Sequence, residues 1–202
     1  MTRGPRLLLI SGSLRAGSTN TAVLRTVEAF SPGGTSAVLY PGLAALPHFN
    51  PDDDVEGEPL HPAVAELRGQ IGDADALLVS TPEYAGALPG SFKNLLDWTV
   101  GGGEIYGKPA AWLNVSSAAA PTGGRDAHDS LRNVLGYAGA EIVEAACLRV
   151  AVPRTSLGAD GLVEDGEIRA ALLGAEARLC THVEVSGSES SESERRGRLG
   201  RR

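Results

Sequence analysis

Residues 7–20 read LLLISGSLRAGSTN, and this stretch introduces the pattern that the rest of the chain repeats. It begins with a short apolar run bounded by glycine, which is typical of a buried strand. A polar loop of small residues follows, and apolar residues then recur at helical spacing between positions 23 and 30. Asn20 stands where the N-cap of that helix is expected. The stretch therefore predicts a strand, a loop and a helix.

The same order of strand and helix returns along the chain. Further strands are predicted over 36–40, 76–80, 110–115 and, with weaker apolar character, 141–148. Helices are predicted from residue 62, over about 89–100, around 131–135 and over about 165–185. Five such units with nearly continuous apolar strands indicate an α/β fold, a doubly wound five-stranded parallel sheet with helices on both faces.

Charge is unevenly distributed along the chain. All 202 residues together carry a formal charge of −7, but residues 186–202 contain five arginines and three glutamates, which leaves −9 on residues 1–185. We expect one folded domain over 1–185 and a disordered tail over 186–202, because this Ser/Glu/Arg-rich segment lacks the apolar residues that a core needs. An acidic domain also argues against a nucleic-acid partner, since phosphate neutralisation requires a basic surface.

Neither a membrane segment nor a secretion signal is evident in the sequence. No run of 18 apolar residues occurs, so neither a membrane span nor a membrane partner is expected. The apolar stretch near the amino terminus is five residues long, which is too short for the core of a signal peptide. We therefore expect a cytoplasmic location.

The residue types that most often carry chemistry form no metal site and no nucleophile motif. Cys147 and Cys180 are 33 residues apart, which favours buried free thiols. The four histidines lack metal-ligand spacing, and His128 is expected on the surface of a helix. Residues 52–54, three consecutive aspartates, predict a solvated acidic loop. Trp98 lies off the inward stripe of its helix, which leaves contact with a partner subunit and core packing as alternatives.

Three predicted loops follow strands one, three and four, at the edge where open parallel sheets bind ligands. The first, residues 11–20, matches neither GxxxxGK[ST] nor GxGxxG. Its hydroxyl and amide side chains, its free backbone amides and Arg15 before a helix suit a phosphate monoester. The alternative is an ordinary Asn-capped turn with a solvent-exposed arginine.

The other two loops combine rigid and small residues. In residues 81–90, proline and glycine allow the backbone to approach a flat ligand edge, with Tyr84 nearby. The alternative is an ordinary connection in which Glu83 is merely solvated. Residues 116–125 are mostly small and leave room beside a ligand face.

These loops resemble those of the NADPH-dependent FMN reductase family. The shared motifs are GSLRAGSTN at 12–20, PEY at 82–84 and PGSFKNLLDW at 89–98, and segments 116–125 and 131–135 also fit. The resemblance spans residues 6–150 in the family's order and spacing. Members of the family include flavodoxin-like quinone, chromate and azo-dye reductases.

The resemblance implies a flavodoxin-like sheet of order 2-1-3-4-5 and one FMN per subunit. By the family pattern, the side chains that hold the FMN phosphate are Ser13, Arg15, Ser18 and Asn20. The residues that follow the isoalloxazine ring, largely through their main chain, are Pro82, Glu83, Tyr84 and Ala85, with Ser117 nearby. The chain departs from many members at Ala85-Gly86, where Asn or His follows the tyrosine, and at 118–121, where glycine is common.

For function, the resemblance implies an FMN-dependent NAD(P)H oxidoreductase. Our hypothesis is a ping-pong mechanism in which hydride passes from NAD(P)H to flavin N5 and then to a small acceptor: free flavin, a quinone, an azo compound or a metal ion. No catalytic side chain is required, because the flavin carries the chemistry. A homodimer or homotetramer is expected from the family. The alternative is a flavodoxin-like electron carrier reduced by a partner protein. The sequence leaves open whether NADPH or NADH is preferred.

Overall fold

A parallel sheet lies at the centre of the computed structural model, which describes residues 3–116 and 120–199, with the backbone alone over 189–199. Its strands are β1 (Arg6–Ser11), β2 (Ser36–Leu39), β3 (Ala76–Ser80), β4 (Pro109–Asn114), β5 (Glu141–Ile142) and β6 (Leu148–Arg149). The order is β2-β1-β3-β4-β5, β6 also pairs with β4, and every pair is parallel. The predicted order 2-1-3-4-5 is confirmed.

Five α-helices cover the two faces of this sheet. They are α1 (Thr19–Phe30), α2 (Pro62–Asp73), α3 (Gly90–Asp97), α4 (Arg125–Tyr137) and α5 (Gly166–Leu199). Successive side chains of a strand point to opposite faces. Leu7 and Leu9 of β1 accordingly pack in the core cluster that contains residues of α1 and α5, whereas Leu8 and Ile10 pack with α2, α3 and α4. The doubly wound α/β class is therefore confirmed.

The last part of the sheet differs from the sequence prediction of one strand over 141–148. A 3-10 helix over Glu144–Ala146 divides this segment into β5 and β6, which pair with different parts of β4. Glutamate and alanine are both depleted in strands, and Ala146 is fully buried in the turn that they form. The two short strands together therefore take the place of a single fifth strand.

The ends of two helices also differ from the predicted positions. Ser18, not Asn20, is the N-cap of α1. Helix α5 continues from Gly166 through Leu199, so its backbone extends well past the boundary expected at residue 185. Residues 186–199 contain no proline, the residue that most strongly ends a helix. The division into a domain over 1–185 and a disordered tail stays a prediction, but helix α5 extends across the boundary at residue 185.

The structure decides between the two alternatives for Trp98 and corrects the prediction of a fully solvated acidic loop. Trp98 is fully buried, its Nε1 donates to the carbonyl of Pro47 at 2.9 Å, and its ring meets Phe49 edge-on at 5.0 Å. Core packing is therefore confirmed for Trp98, and the subunit-contact alternative is wrong. Asp54 accepts a hydrogen bond of 2.6 Å from the buried Arg68 guanidinium, so only part of the acidic loop is solvated.

Both cysteines are free, with Cys180 buried and Cys147 half-buried. Across the part of the chain that the structure describes, no helix has the length and apolar character of a membrane span. The same residues contain no group of three or more His, Cys, Asp or Glu side chains that could hold a metal ion.

Candidate functional site

The loops that follow β1, β3, β4 and β6 meet at the carboxyl edge of the sheet around a cavity of about 500 Å³. This volume lies within the range of about 300–1,000 Å³ that small-molecule sites occupy. Among the residues predicted to bind FMN, the cavity is lined by Ser13, Arg15, Ser18, Asn20, Pro82, Glu83 and Tyr84. Ala85 is not among its lining residues, and Ser117 lies outside the described residues. Their roles in binding stay predictions, but the topology brings seven of them together.

The loop after β1 approaches the neighbouring strand through a glycine. The Gly12 amide donates to the carbonyl of Ser80 at 2.9 Å. A Cβ at Gly12 would lie 2.3 Å from Oγ1 of the buried Thr81, which is far closer than atoms can pack. Glycine is therefore required for the β1 loop to lie this close to the start of the β3 loop.

The amino terminus of α1 faces the cavity without an anionic partner. Ser18 caps the helix without a side-chain hydrogen bond, and no acidic residue stands in the first turn. The first amides of a helix have no intrahelical acceptor and carry partial positive charge. Arg15 is exposed beside them, and its guanidinium forms no ion pair within residues 3–116 and 120–199. This end of the cavity is suited to an anion.

Asn20 differs from the other residues at this end because part of its side chain is already engaged. Ser80 Oγ lies 2.9 Å from Asn20 Oδ1 and 2.9 Å from the carbonyl of Leu113, and it can donate to either. The hydroxyl thus connects α1 to β3 and β4. The Asn20 oxygen is directed to the protein, which leaves the amide nitrogen as its group for a ligand.

The loop after β3 contains a tight turn at its tip. Tyr84 and Ala87 exchange backbone hydrogen bonds of 3.0 and 3.1 Å. Between them, Ala85 and Gly86 both have positive φ angles, +52° and +72°, as a type I′ turn requires. Ala85 is exposed outside the cavity, whereas Tyr84 remains on its lining and is 55% exposed.

Glu83 joins the β3 loop to the amino terminus of α4. One carboxylate oxygen accepts from Thr122 Oγ1 at 2.6 Å, and the other accepts from the Ala127 amide at 3.2 Å. The hydrogen bond from Thr122 is the main reason that the pKa of Glu83 lies below its ordinary value. The alternative in which Glu83 is merely solvated is therefore wrong, because its carboxylate holds two loops together.

Two buried side chains hold the glycine turn that follows β4. Asn114 Nδ2 donates to the carbonyl of Gly123 at 2.9 Å, and His128 Nδ1 lies 2.6 Å from the carbonyl of Gly124. Gly124 has φ +76°, and a Cβ there would lie 2.2 Å from Ser116 Oγ. The turn therefore gives the cavity a wall without a side chain at Gly124.

His128 is an internal residue rather than the surface residue that the sequence predicts. It is 6% exposed, and its ring stacks on Trp112 with the ring centroids 5.9 Å apart. Burial lowers the pKa of His128, so the neutral ring is favoured. A neutral ring that meets a carbonyl through Nδ1 carries its proton there, and His128 therefore donates to Gly124.

Sequence reasoning missed one wall of the cavity, formed by Val152, Pro153 and Arg154. These residues follow β6, and Arg154 begins a 3-10 turn over Arg154–Ser156. A signal was available, because the carboxyl end of the fifth strand position lies at the same edge as the three loops that were considered. The weak strand character of 141–148 made that end difficult to locate.

A flavodoxin-like parallel sheet with a cavity at the carboxyl edge of its strands places the chain among the doubly wound α/β proteins, which bind ligands at this edge. The sequence profile described as NADPH-dependent FMN reductase matches residues 5–152. The chain therefore belongs to the NADPH-dependent FMN reductase family. It is thus an oxidoreductase of the FMN- and NAD(P)H-dependent class, as the sequence predicts.

Individual relatives agree with this assignment. The chain is 35% identical over 166 residues to an NAD(P)H-dependent FMN reductase of Pseudomonas aeruginosa, a match that covers 81% of this chain and 87% of the relative. It is 33% identical over 146 residues to a quinone reductase of Escherichia coli, covering 71% and 76%. Among solved structures, the flavoenzyme FerB of Paracoccus denitrificans, an NAD(P)H:acceptor oxidoreductase, superposes with a TM-score of 0.75 and 27% identity over 89% of this chain and 97% of that one.

The described residues fit FMN. The start of α1, which has no side-chain cap hydrogen bond, and Arg15 suit a phosphate monoester, and both border the cavity. The same lining includes Pro82, Tyr84 and Val115, whose apolar and aromatic surfaces can pack on a flat ring system. The cavity therefore offers both cationic and apolar lining, as a phosphorylated flavin requires.

Proposed function

We propose that this protein binds FMN in the cavity at the carboxyl edge of the sheet and oxidises NAD(P)H with a small-molecule acceptor. One observation carries the proposal. The anion-binding start of α1, with Arg15 beside it, opens into the same cavity as the PEY segment and the glycine turn at Gly124. A phosphate and a flat ring can therefore be held by one continuous site.

At the phosphate end, we assign Ser13, Ser18 and Asn20 as polar donors and Arg15 as the cation. Hydroxyl and amide donors together with a guanidinium match the several oxygens of a phosphate monoester. The first amides of α1 add fixed donors, because they have no intrahelical acceptor. This end fixes the position of the cofactor and takes no part in electron transfer.

At the ring end, we assign Pro82, Glu83 and Tyr84, with Ala85 and Ser117 beside them, to the isoalloxazine. FMN held by these residues would supply the redox chemistry, which is hydride transfer between NAD(P)H and the acceptor. Glu83 holds its loop against α4 through Thr122 and Ala127 and is not free to move a proton. Tyr84 lies half exposed on the lining, where it shields one edge of the ring from water.

We further propose a ping-pong order in which NAD(P)H and the acceptor use the same open face of the cavity in turn. The names of relatives support flavins and quinones as acceptors. We assign no metal site and no catalytic side chain. A homodimer or homotetramer that works in the cytoplasm is the form we propose for the active protein.

The experiment is to express the chain, record its absorption spectrum and measure FMN binding and NAD(P)H oxidation with a quinone. We expect bound flavin and turnover that requires both substrates. Arg15→Gln should weaken FMN binding by about ten- to a hundredfold, the range for a lost hydrogen bond to a charged group. Arg25→Gln, which removes an exposed arginine of α1 outside the cavity, is the matched control. A wild-type chain that neither carries nor binds FMN contradicts the proposal.

A further inference from the structure

Arg154 is an arginine of the cavity wall that no predicted motif contains. It lines the same cavity as Ser13, Arg15 and Ser18, although it lies almost 140 residues further along the chain. It is exposed, and its side chain forms no ion pair within the part of the chain that the structure describes. Its charge is therefore available to a ligand.

The turn that carries Arg154 is tied to α1, the helix whose amino terminus forms the anion site. Thr26 of α1 is fully buried, and its Oγ1 accepts a hydrogen bond of 2.9 Å from the Val163 amide. The neighbouring Glu164 amide donates to the carbonyl of Ser156 at 2.9 Å, within the turn Arg154–Ser156. These two bonds connect the Arg154 turn to α1 and hold it on the α1 side of the sheet.

Without Arg154, the amino terminus of α1 and Arg15 do not fully balance the negative charge of a phosphate dianion. A phosphate monoester carries about −1.5 to −2 at neutral pH. A helix amino terminus contributes about +0.5, and Arg15 contributes one positive charge, so a dianion remains short by about half a charge. The chain as a whole has a net charge of −7, which makes its background unfavourable for an anion.

The anionic residue of the described lining does not compete for this charge. Both oxygens of the Glu83 carboxylate accept hydrogen bonds, from Thr122 Oγ1 at 2.6 Å and from the Ala127 amide at 3.2 Å. These bonds tie the carboxylate to the start of α4, and within the described residues no ion pair joins Glu83 to Arg154.

We propose that Arg154 is a second phosphate-binding residue of the FMN site, supplied by the connection between β6 and α5. This inference rests on the proposed function and adds a specificity to it: the loop after β6 distinguishes FMN from flavins that lack the phosphate. Arg15 and Arg154 approach the phosphate from two different loops, and Thr26 holds the second loop in position.

The test compares FMN with riboflavin, which lacks only the phosphate. The dissociation constants of both flavins are measured by fluorescence for wild type, Arg154→Gln and the control Arg25→Gln. Arg154→Gln should weaken FMN binding by about ten- to a hundredfold and leave riboflavin binding unchanged. Arg154→Lys, which keeps the charge and loses the two-pronged geometry, should show a smaller loss of FMN affinity. Arg25→Gln should bind both flavins as wild type does.

Three results overturn the assignment. Equal weakening of both flavins in Arg154→Gln places the residue beside the ring or the ribityl chain. Unchanged binding of both flavins removes Arg154 from the flavin site. A raised KM for NADPH with unchanged FMN affinity assigns it to the co-substrate instead. A wild-type protein that binds no FMN defeats the proposed function itself, so the two failures are distinguishable.

Discussion

At the β1 end of the cavity, Arg15 has no acidic partner among the residues that the structure describes, and Ser18 caps α1 without a side-chain hydrogen bond. At the β3 and β4 end, by contrast, Glu83 and His128 both bond to the protein's own backbone. The first end keeps the Arg15 guanidinium and the first amides of α1 available, and the second uses its polar groups internally.

This difference predicts which substitutions should weaken ligand binding and which should lower the stability of the fold. Polar groups at the β1 end are free to meet an anion, so their removal should weaken ligand binding and change the free energy of unfolding little. Polar groups at the β3 and β4 end fix the shape of two loops, so their removal should destabilise the fold first. The flat ring of a flavin is suited to the second end, because a fixed backbone surface can approach it closely.

The largest effect is expected from substitution of Gly12, where the loop after β1 contacts the loop after β3. A Cβ there would lie 2.3 Å from Oγ1 and 2.7 Å from Cβ of Thr81, which is 2% exposed and has no space to move. Gly12→Ala should therefore lower the free energy of unfolding by about 3 kcal/mol, the upper part of the range for overpacking. Urea unfolding measures this change.

The control for Gly12→Ala is Gly90→Ala. A Cβ at Gly90, in the first turn of α3, would have no atom within 4 Å, so this substitution should not destabilise the protein. Gly12→Ala should also weaken FMN binding, because it moves the phosphate loop away from the β3 loop. Equal stability of the two variants would mean that the loops are not in the close contact described above.

The second prediction concerns Glu83. Glu83→Gln removes the charge from the two hydrogen bonds at the start of α4 and should lower the free energy of unfolding by about 1.5–2 kcal/mol at pH 7. The pKa of Glu83 is lowered from its ordinary value of 4.5, mainly by Thr122. Stability from such a carboxylate is present above that value and is lost as the pH falls through the lower folded-state pKa.

The measurement for Glu83 is urea unfolding at pH 7 and at steps below pH 4.5. The difference between wild type and Glu83→Gln should shrink across the acidic steps, since both then carry a neutral side chain. Thr122→Val serves as a partner variant, and in the double variant its effect should be smaller than in wild type. Strictly additive effects of the two substitutions would contradict an interaction between Glu83 and Thr122.

The sequence was informative where a local pattern sufficed. Strand β3 and the start of α2 at Pro62 follow from apolar runs and from proline's preference for the first helical position. The cavity residues of the first two loops were found because they follow clear strands. Arg154 was missed because Glu144–Ala146 interrupts the fifth strand position, so no clear strand end marked its loop.

Tertiary contacts decided what local pattern could not. His128 lies in a polar stretch of its helix, and nothing in that stretch predicts that its ring stacks on Trp112. The partners of Glu83 come from residues 39 and 44 positions away. Such pairings depend on how β3 and β4 align, which a single sequence does not contain.

The third prediction separates the two functions of a buried histidine. His128→Asn keeps a side-chain donor that can reach the Gly124 carbonyl, whereas His128→Leu leaves that carbonyl only the longer hydrogen bond of 3.3 Å from the amide of residue 128. We expect His128→Leu to lose about 1 kcal/mol of unfolding free energy and His128→Asn to lose less. Equal losses would show that ring packing on Trp112, and not the hydrogen bond, carries the contribution.

The buried His128 should also make folding stability depend on pH, in a range different from that of Glu83. Burial lowers the pKa of His128 below its ordinary value of 6.5, so the folded state prefers the neutral ring. The unfolded chain binds the proton more readily, and stability therefore falls as the pH drops below 6.5. Thermal unfolding of wild type should show this decline between pH 6.5 and pH 5, and His128→Leu should show a flatter profile over the same interval.

The smallest expected effect is a gain of stability at Ala85. Its φ of +52° lies in the left-handed region, which costs an L-residue about 1–2 kcal/mol and glycine almost nothing. Part of that gain is offset because glycine loses more entropy on folding, so Ala85→Gly should raise the free energy of unfolding by about 0.5–1 kcal/mol. Gly86→Ala, at φ +72°, should shift stability in the opposite direction and is the matched control. Because the Ala85 side chain lies outside the cavity and the contact proposed for this segment is largely through the main chain, Ala85→Gly should change FMN affinity little, and a loss of affinity would show that the Ala85 side chain itself contacts the ring.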